Sequence, residues 1–264
     1  MKIAFIGGGK MAEAILAAII HNRAAEAGDI SVSDISDERR GHLASTYGVG
    51  VGDDNVSAAS SSDVVILAVK PQQFDEVLAE LAGEEQDKLF VSIAAGKKLE
   101  GIAAGLGGAK VVRVMPNIAA LASASMNVFC VSDGVSDAEK ADVTDLLGSF
   151  GEALELPEDQ FDAVTALSGS GPAFFTYMLQ AMASGAAELG LPAEAAEKLA
   201  IQTFLGTARL LAEGRFEADA LIQAVSSVKG TTVAGMEVLR QTALYEDIAR
   251  TLEAAAKRSR ELSA

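Results

Sequence analysis

Short apolar runs, each followed by a stretch with helical spacing, mark the first 156 residues. Lys2-Ile3-Ala4-Phe5-Ile6, Ile30-Ser31-Val32-Ser33, residues 63–69, 89–93, 111–114, 127–131 and 153–156 read as strands. Residues 63–69 are almost wholly apolar, the pattern of a strand covered on both faces. Helical periodicity follows the first run through Met11, Ile15 and Ile19 and recurs over 38–47 and 137–147. Strands alternating with helices predict an α/β fold with a doubly wound, mostly parallel sheet. The pattern changes near Leu156-Pro157. No strand pattern follows, and apolar residues recur at helical periods over 158–190, 193–213, 217–227 and 231–262. Two domains are therefore expected, 1–156 and an all-α 157–264. Phe174, Phe175, Tyr177, Met178, Met182 and Leu189 make one helix apolar over more than one face. Such a face packs either within a monomeric bundle or against a second subunit. It is wide for a bundle of this size, which points to a homodimer or larger homo-oligomer.

The first strand runs directly into Gly7-Gly8-Gly9-Lys10-Met11-Ala12, a G-x-G-x-x-A loop opening a helix. Glycines allow a tight turn and close approach of a pyrophosphate, and small Ala12 lets helix and strand pack closely. The helix start offers free N–H groups and the positive end of its dipole. Ile6 to Met11 are thus candidate dinucleotide-binding residues. An ordinary βα turn also needs glycine, but the strand–loop–helix context favours a nucleotide.

Ligands of open α/β sheets lie beyond the carboxyl ends of the strands. Ala68-Val69-Lys70-Pro71 stands at one such end, with Lys70 either near a cofactor phosphate or ribose or a solvated loop lysine. Ile93-Ala94-Ala95-Gly96 stands at another, where small residues suit a flat ring or a tight turn. Asp34 ends the second strand, where an acid would bond a ribose 2′-hydroxyl and favour NAD. Ser33, Ser36, Arg39 and Arg40 beside it could instead hold the 2′-phosphate of NADP, although the two arginines equally suit an exposed helix face, and NADP is the cofactor expected, with NAD the alternative.

Composition narrows the partners. Half of the 264 residues are apolar and the net charge is −16. So negative a surface repels nucleic acid and anionic lipid. No apolar run is long enough to span a membrane, and the opening residues lack the pattern of a secretory leader. The single cysteine, Cys130, lies within an apolar strand and reads as core. A soluble cytoplasmic protein without a metal site is expected.

Two clusters rich in glycine and hydroxyls interrupt the helical half: Ala166-Leu167-Ser168-Gly169-Ser170-Gly171-Pro172 and Ser226-Ser227-Val228-Lys229-Gly230-Thr231-Thr232. In the first, Ser170 and Pro172 suit an N-cap and a first turn. In the second, a helix opening at Thr231 would offer N–H groups and hydroxyls to a small carboxylate. Together with the glycine loop, Ala68 to Pro71, Ser92 to Gly96 and Arg113-Val114-Met115-Pro116-Asn117, these stretches make the chain resemble pyrroline-5-carboxylate reductases over essentially its whole length. The resemblance implies hydride transfer from NADPH, or NADH, to the C=N bond of 1-pyrroline-5-carboxylate, giving proline. It also implies cofactor contact at Asn55, a substrate carboxylate held by Ser227, Gly230, Thr231 and Thr232, and orientation of the ring nitrogen by Thr232. The family usually carries Pro-Gly-Gly where this chain has Val228-Lys229-Gly230, so the turn itself departs from the pattern. A cyclic imine is basic enough to arrive partly protonated, which fits the lack of Lys, Arg and His between Lys140 and Lys198. That gap counts against a β-hydroxyacid dehydrogenase, whose central helix usually carries a lysine. A non-catalytic NADP-sensing regulator is the remaining alternative.

Overall fold

The computed structural model describes residues 1–84 and 88–263. Eight strands form one sheet: β1 (Ile3–Ile6), β2 (Ile30–Ser33), β3 (Gly50–Gly52), β4 (Val64–Leu67), β5 (Leu89–Ser92), β6 (Lys110–Met115), β7 (Ser125–Val131) and β8 (Gly151–Glu155). Their spatial order is β3-β2-β1-β4-β5-β6-β7-β8. Every neighbouring pair is parallel except β6 and β7. The strand order reverses beside β1, so the crevice at its carboxyl end is where a ligand is expected.

Side-chain alternation explains the apolar runs. In β1, Ile3 and Phe5 enter one core layer while Ala4 and Ile6 enter the other. In β4, Val64 and Ile66 part from Val65 and Leu67 in the same way. The first layer is closed by α1 (Lys10–His21), α2 (Asp37–Tyr47) and α6 (Asp137–Gly148). The second is closed by α3 (Asn55–Ser60), α4 (Phe74–Leu81) and α5 (Leu99–Gly105). A sheet apolar on both faces needs helices on both, which is the doubly wound architecture.

Several elements differ from the sequence expectation. β3, α3, α4 and α5 were not anticipated: β3 has only three residues, two of them glycine, and α3 has six. Strand 63–69 shortens to Val64–Leu67. The 158–190 segment is not one helix. It comprises a 3-10 turn, α7 (Phe161–Val164), a π-helical turn (Thr165–Gly169) and α8 (Gly171–Glu188). Pro172 falls in the first turn of α8 as expected, whereas Ser170 closes the π turn, its N–H donating to the Thr165 carbonyl at 2.9 Å. After α9 (Ala193–Ala212) and α10 (Ala218–Ala224), the single expected helix 231–262 is two, α11 (Thr231–Arg240) and α12 (Leu244–Leu262).

The chain divides into two compact units, residues 1–170 with 254–264, and residues 171–253. In the first, Phe161 and Val164 of α7 pack on Val128 and Cys130 of β7. Cys130 is buried, and burial pushes its thiol up to about 12, so it is a core residue and not a thiolate nucleophile. In the second, α8 packs on α9, with the Phe175 and Phe204 rings 5.9 Å apart.

Candidate functional site: a dinucleotide cleft and a carboxylate-binding turn

β1 delivers the chain to Gly7 with φ near +96°. A Cβ there would lie 2.9 Å from the Ala68 carbonyl oxygen at the end of β4. Only glycine fits both demands. The Gly7 N–H donates to the Ser33 carbonyl at 2.8 Å and the Ala68 N–H to that of Ile6 at 2.8 Å, tying together the ends of β1, β2 and β4. Gly9 is the N-cap of α1 and no side chain caps that helix start. Its first-turn N–H groups, beginning at Lys10 and Met11, remain available to an anion.

A cleft of about 410 Å³ opens at these strand ends. Gly7, Gly9, Ser33, Asp34, Asn55, Ala68, Val69 and Lys70, all expected cofactor residues, line it together. Ile35, Gln73 and, from α4, Glu76, Val77 and Glu80 complete the wall, and no sequence pattern singles them out. The Ser33 side chain is buried and its hydroxyl has no hydrogen-bond partner among the described residues, which is unusual for a buried polar atom and suits a ligand hydroxyl. With the glycine turn and the uncapped α1, these residues fit a dinucleotide.

The other expected cofactor residues lie outside this lining. Ile6 is fully buried in the core and Gly8 is packed between Leu43 and Val32. The Ser36 hydroxyl caps α2, accepting the Arg39 N–H at 3.2 Å. Pro71 opens a 3-10 turn. Ile93, Ala94 and Ala95 follow β5, with Ala94 buried. Within the lining, the Asn55 amide donates to Glu80 at 2.8 Å.

The arginines do not form an exposed helix face. Arg39 donates to the Gly8 carbonyl and pairs with Glu13. Glu13 also meets His42 Nε2 at 2.7 Å and accepts the Tyr47 hydroxyl at 3.0 Å. Burial alone would raise the Glu13 carboxyl, but the bonds from Arg39, His42 and Tyr47 prevail and hold it at about 2. Glu13 therefore stays ionised throughout the physiological range. The α1–α2 pairing that unites these residues is tertiary, so only Glu13's place in a first turn was visible in advance.

In the second unit, α10 ends at Ala224 and a turn leads into α11. The Gly230 N–H donates to the Ser227 carbonyl at 2.9 Å. Lys229, at the third position, has φ near +58°. This is the signature of a type II turn, which prefers proline at its second position and glycine at its third. The departure from Pro-Gly thus leaves the turn formed, with Lys229 held in the left-handed region. A Cβ on Gly230 would meet the Ser227 hydroxyl and lie 3.0 Å from the Ser227 carbonyl oxygen, so a side chain there would oblige Ser227 to move. No side chain caps α11. Among the described residues, neither Thr231 nor Thr232 donates its hydroxyl to a protein group, unlike Thr207 and Thr242, whose hydroxyls bond backbone carbonyls. Free N–H groups and free hydroxyls at one helix start suit a small carboxylate. Among the described residues there is no His/Cys/Asp/Glu cluster able to hold a metal ion, and no helix long and apolar enough to cross a membrane.

Comparison with known proteins gives two family matches. Residues 158–262 match "Pyrroline-5-carboxylate reductase dimerisation", and residues 2–96 match "NADP oxidoreductase coenzyme F420-dependent". Among individual relatives, the chain is 40% identical to a pyrroline-5-carboxylate reductase of Synechocystis sp., over 99% of this chain and 98% of that one. It is 37% identical to one of Arabidopsis thaliana, over 99% and 95%. The solved structure of a pyrroline-5-carboxylate reductase from Coxiella burnetii superposes with a TM-score of 0.95 at 34% identity, covering 100% of this chain and 98% of that one.

Proposed function

The chain belongs to the pyrroline-5-carboxylate reductase family, and from that premise we propose how its residues reduce 1-pyrroline-5-carboxylate to L-proline, the last step of proline biosynthesis. It is an NAD(P)H-dependent oxidoreductase acting on a C=N bond, and it works as a homo-oligomer built through its C-terminal helices. We assign residues 1–156 to dinucleotide binding and 157–264 to substrate binding and dimerisation. The cytoplasm is the compartment that suits a biosynthetic reductase whose one cysteine is buried.

When bound, the dinucleotide supplies the hydride. The protein's contribution is binding, orientation and electrostatics. The glycine loop and the first turn of α1 receive the pyrophosphate, Ser33 and Asp34 receive adenosine-ribose hydroxyls, and Lys70 adds positive charge at the end of β4. The first turn of α11, with the Ser227 and Thr231 hydroxyls, holds the substrate carboxylate. Thr232 accepts a hydrogen bond from the protonated ring nitrogen and so fixes which carbon faces the reductant. A protonated imine already carries the positive charge that hydride attack needs, so no strong protein acid is required. The observation that carries the substrate assignment is the uncapped start of α11 with two threonine hydroxyls unspent.

The test is oxidation of NADH and NADPH with pyrroline-5-carboxylate, set beside reduction of NAD⁺ and NADP⁺ with a panel of 3-hydroxy acids, both followed by absorbance. Turnover of the imine alone is the expected result. Turnover of the hydroxy acids alone, or none, would refute it.

A further inference from the structure

NADPH differs from NADH only by a phosphate on the 2′ oxygen of the adenosine ribose. The two are told apart where β2 ends. There Asp34 Oδ2 accepts the Gly8 N–H at 2.8 Å and Oδ1 accepts the Ser36 N–H at 2.9 Å. A carboxylate has roughly four acceptor sites, so about half remain for a ribose diol. A 2′-phosphate in the same place would set like charges against each other.

The strongest partner for that phosphate is a guanidinium, and the two nearby are engaged. Arg39 is held by the Gly8 carbonyl and by Glu13, which is itself clamped by His42 and Tyr47. Arg40 donates to the Asp34 carbonyl at 2.5 Å and pairs with Asp37, with Asp53 at 3.8 Å. Three carboxylates, Glu13, Asp37 and Asp53, thus face the two arginines. Neither arginine lines the cleft. The residue that does line it next to Asp34 is Ile35, whose side chain is 81% exposed and offers an adenine ring an apolar face without charge.

We infer that this chain accepts both dinucleotides but prefers NADH, with Asp34 taking the 2′-hydroxyl and Glu13 acting as the positioning residue that keeps Arg39 from a 2′-phosphate. The inference rests on the reductase reading above. The preference is expected to be on the order of tenfold or more in kcat/KM, because a 2′-phosphate meets the Asp34 carboxylate with like charge and removes the hydroxyl it would bind. Glu13→Gln keeps the shape and removes the charge, and it should raise the NADPH-to-NADH ratio of kcat/KM about tenfold by freeing the Arg39 charge. Asp34→Ser should raise it further. Both changes should fall mainly on the KM for the dinucleotide, with kcat little altered.

Two measurements on the full chain test this: steady-state rates of wild type and both variants with each dinucleotide, and calorimetric titration with NAD⁺ and NADP⁺ in the absence of imine. Tighter NAD⁺ binding and a ratio shifted by both variants are expected. Wild type that binds NADP⁺ more tightly overturns the inference even if imine reduction is confirmed. Wild type that reduces no imine yet binds NAD⁺ more tightly defeats the reductase reading and leaves the selectivity standing. A Glu13→Gln enzyme that melts like wild type with an unchanged ratio removes Glu13 from the selection, and if that variant does not fold, the wild-type titration and Asp34→Ser decide.

Discussion

Gly7, Lys229 and Thr232 differ in how far their surroundings constrain them. Gly7 is fixed twice, by a positive φ and by the nearby Ala68 carbonyl. Lys229 shows a turn surviving without its preferred residues. A non-glycine residue at positive φ costs about 1 kcal/mol or more, so the rest of the turn and its Ser227–Gly230 bond must hold it. The Thr232 hydroxyl makes no hydrogen bond to its own helix among the described residues, and its substitution should therefore be read in the kinetics. Thr232→Ala is expected to lower kcat/KM for the imine by about tenfold, the worth of one hydrogen bond of about 1.4 kcal/mol, with little change in dinucleotide affinity. Unchanged imine kinetics would remove Thr232 from the reaction. The Asp34 and glycine-loop positions were legible because each belongs to a local strand–turn–helix pattern. Glu13 was not, because its partners come from a different helix.

Among the elements, α6 is the best-specified helix. Ser136 and Glu139 form a reciprocal capping box at its start. Glu139 also pairs with Lys110 of β6 at 2.5 Å. The Lys110 ammonium and then the Ser136 N–H and hydroxyl hold the Glu139 carboxyl at about 2, down from 4.5. A depressed acid contributes stability above its unfolded pKa and loses it as pH falls towards the folded one. Glu139→Gln retains an acceptor for the Ser136 N–H but loses the ion pair. It should melt below wild type at pH 7, and the difference in Tm should narrow as pH falls from about 4.5 towards 2. A gap that widens on acidification would contradict the assignment. Short elements escaped the sequence for a complementary reason. α3 and β3 are too brief for a period to declare itself, and β3 exists only because β2 offers it a ladder. The π turn at Thr165–Gly169 is likewise invisible to a 3.6-residue count.

At the scale of the molecule, residues 171–253 leave large apolar side chains exposed, among them Tyr177, Met182, Leu199 and Ile201. Such surface on a small helical unit is what a homo-oligomer covers. Light scattering should give a mass of at least twice the 27.1 kDa chain, and Met182→Glu together with Ile201→Glu should lower it. A single-chain mass for wild type would refute the assembly. The sequence alone established the alternation of buried strands with helices, the change of character near residue 156, the glycine turn and the two hydroxyl-rich clusters. Those features arise from neighbours a few residues apart, where period, turn chemistry and capping act. Tertiary structure alone decided that β7 runs against β6, that Ile35 and the α4 face wall the cleft, and that Arg39 is spent on Glu13. These depend on side chains far apart in the chain meeting across packed elements, and no local spacing encodes such a meeting.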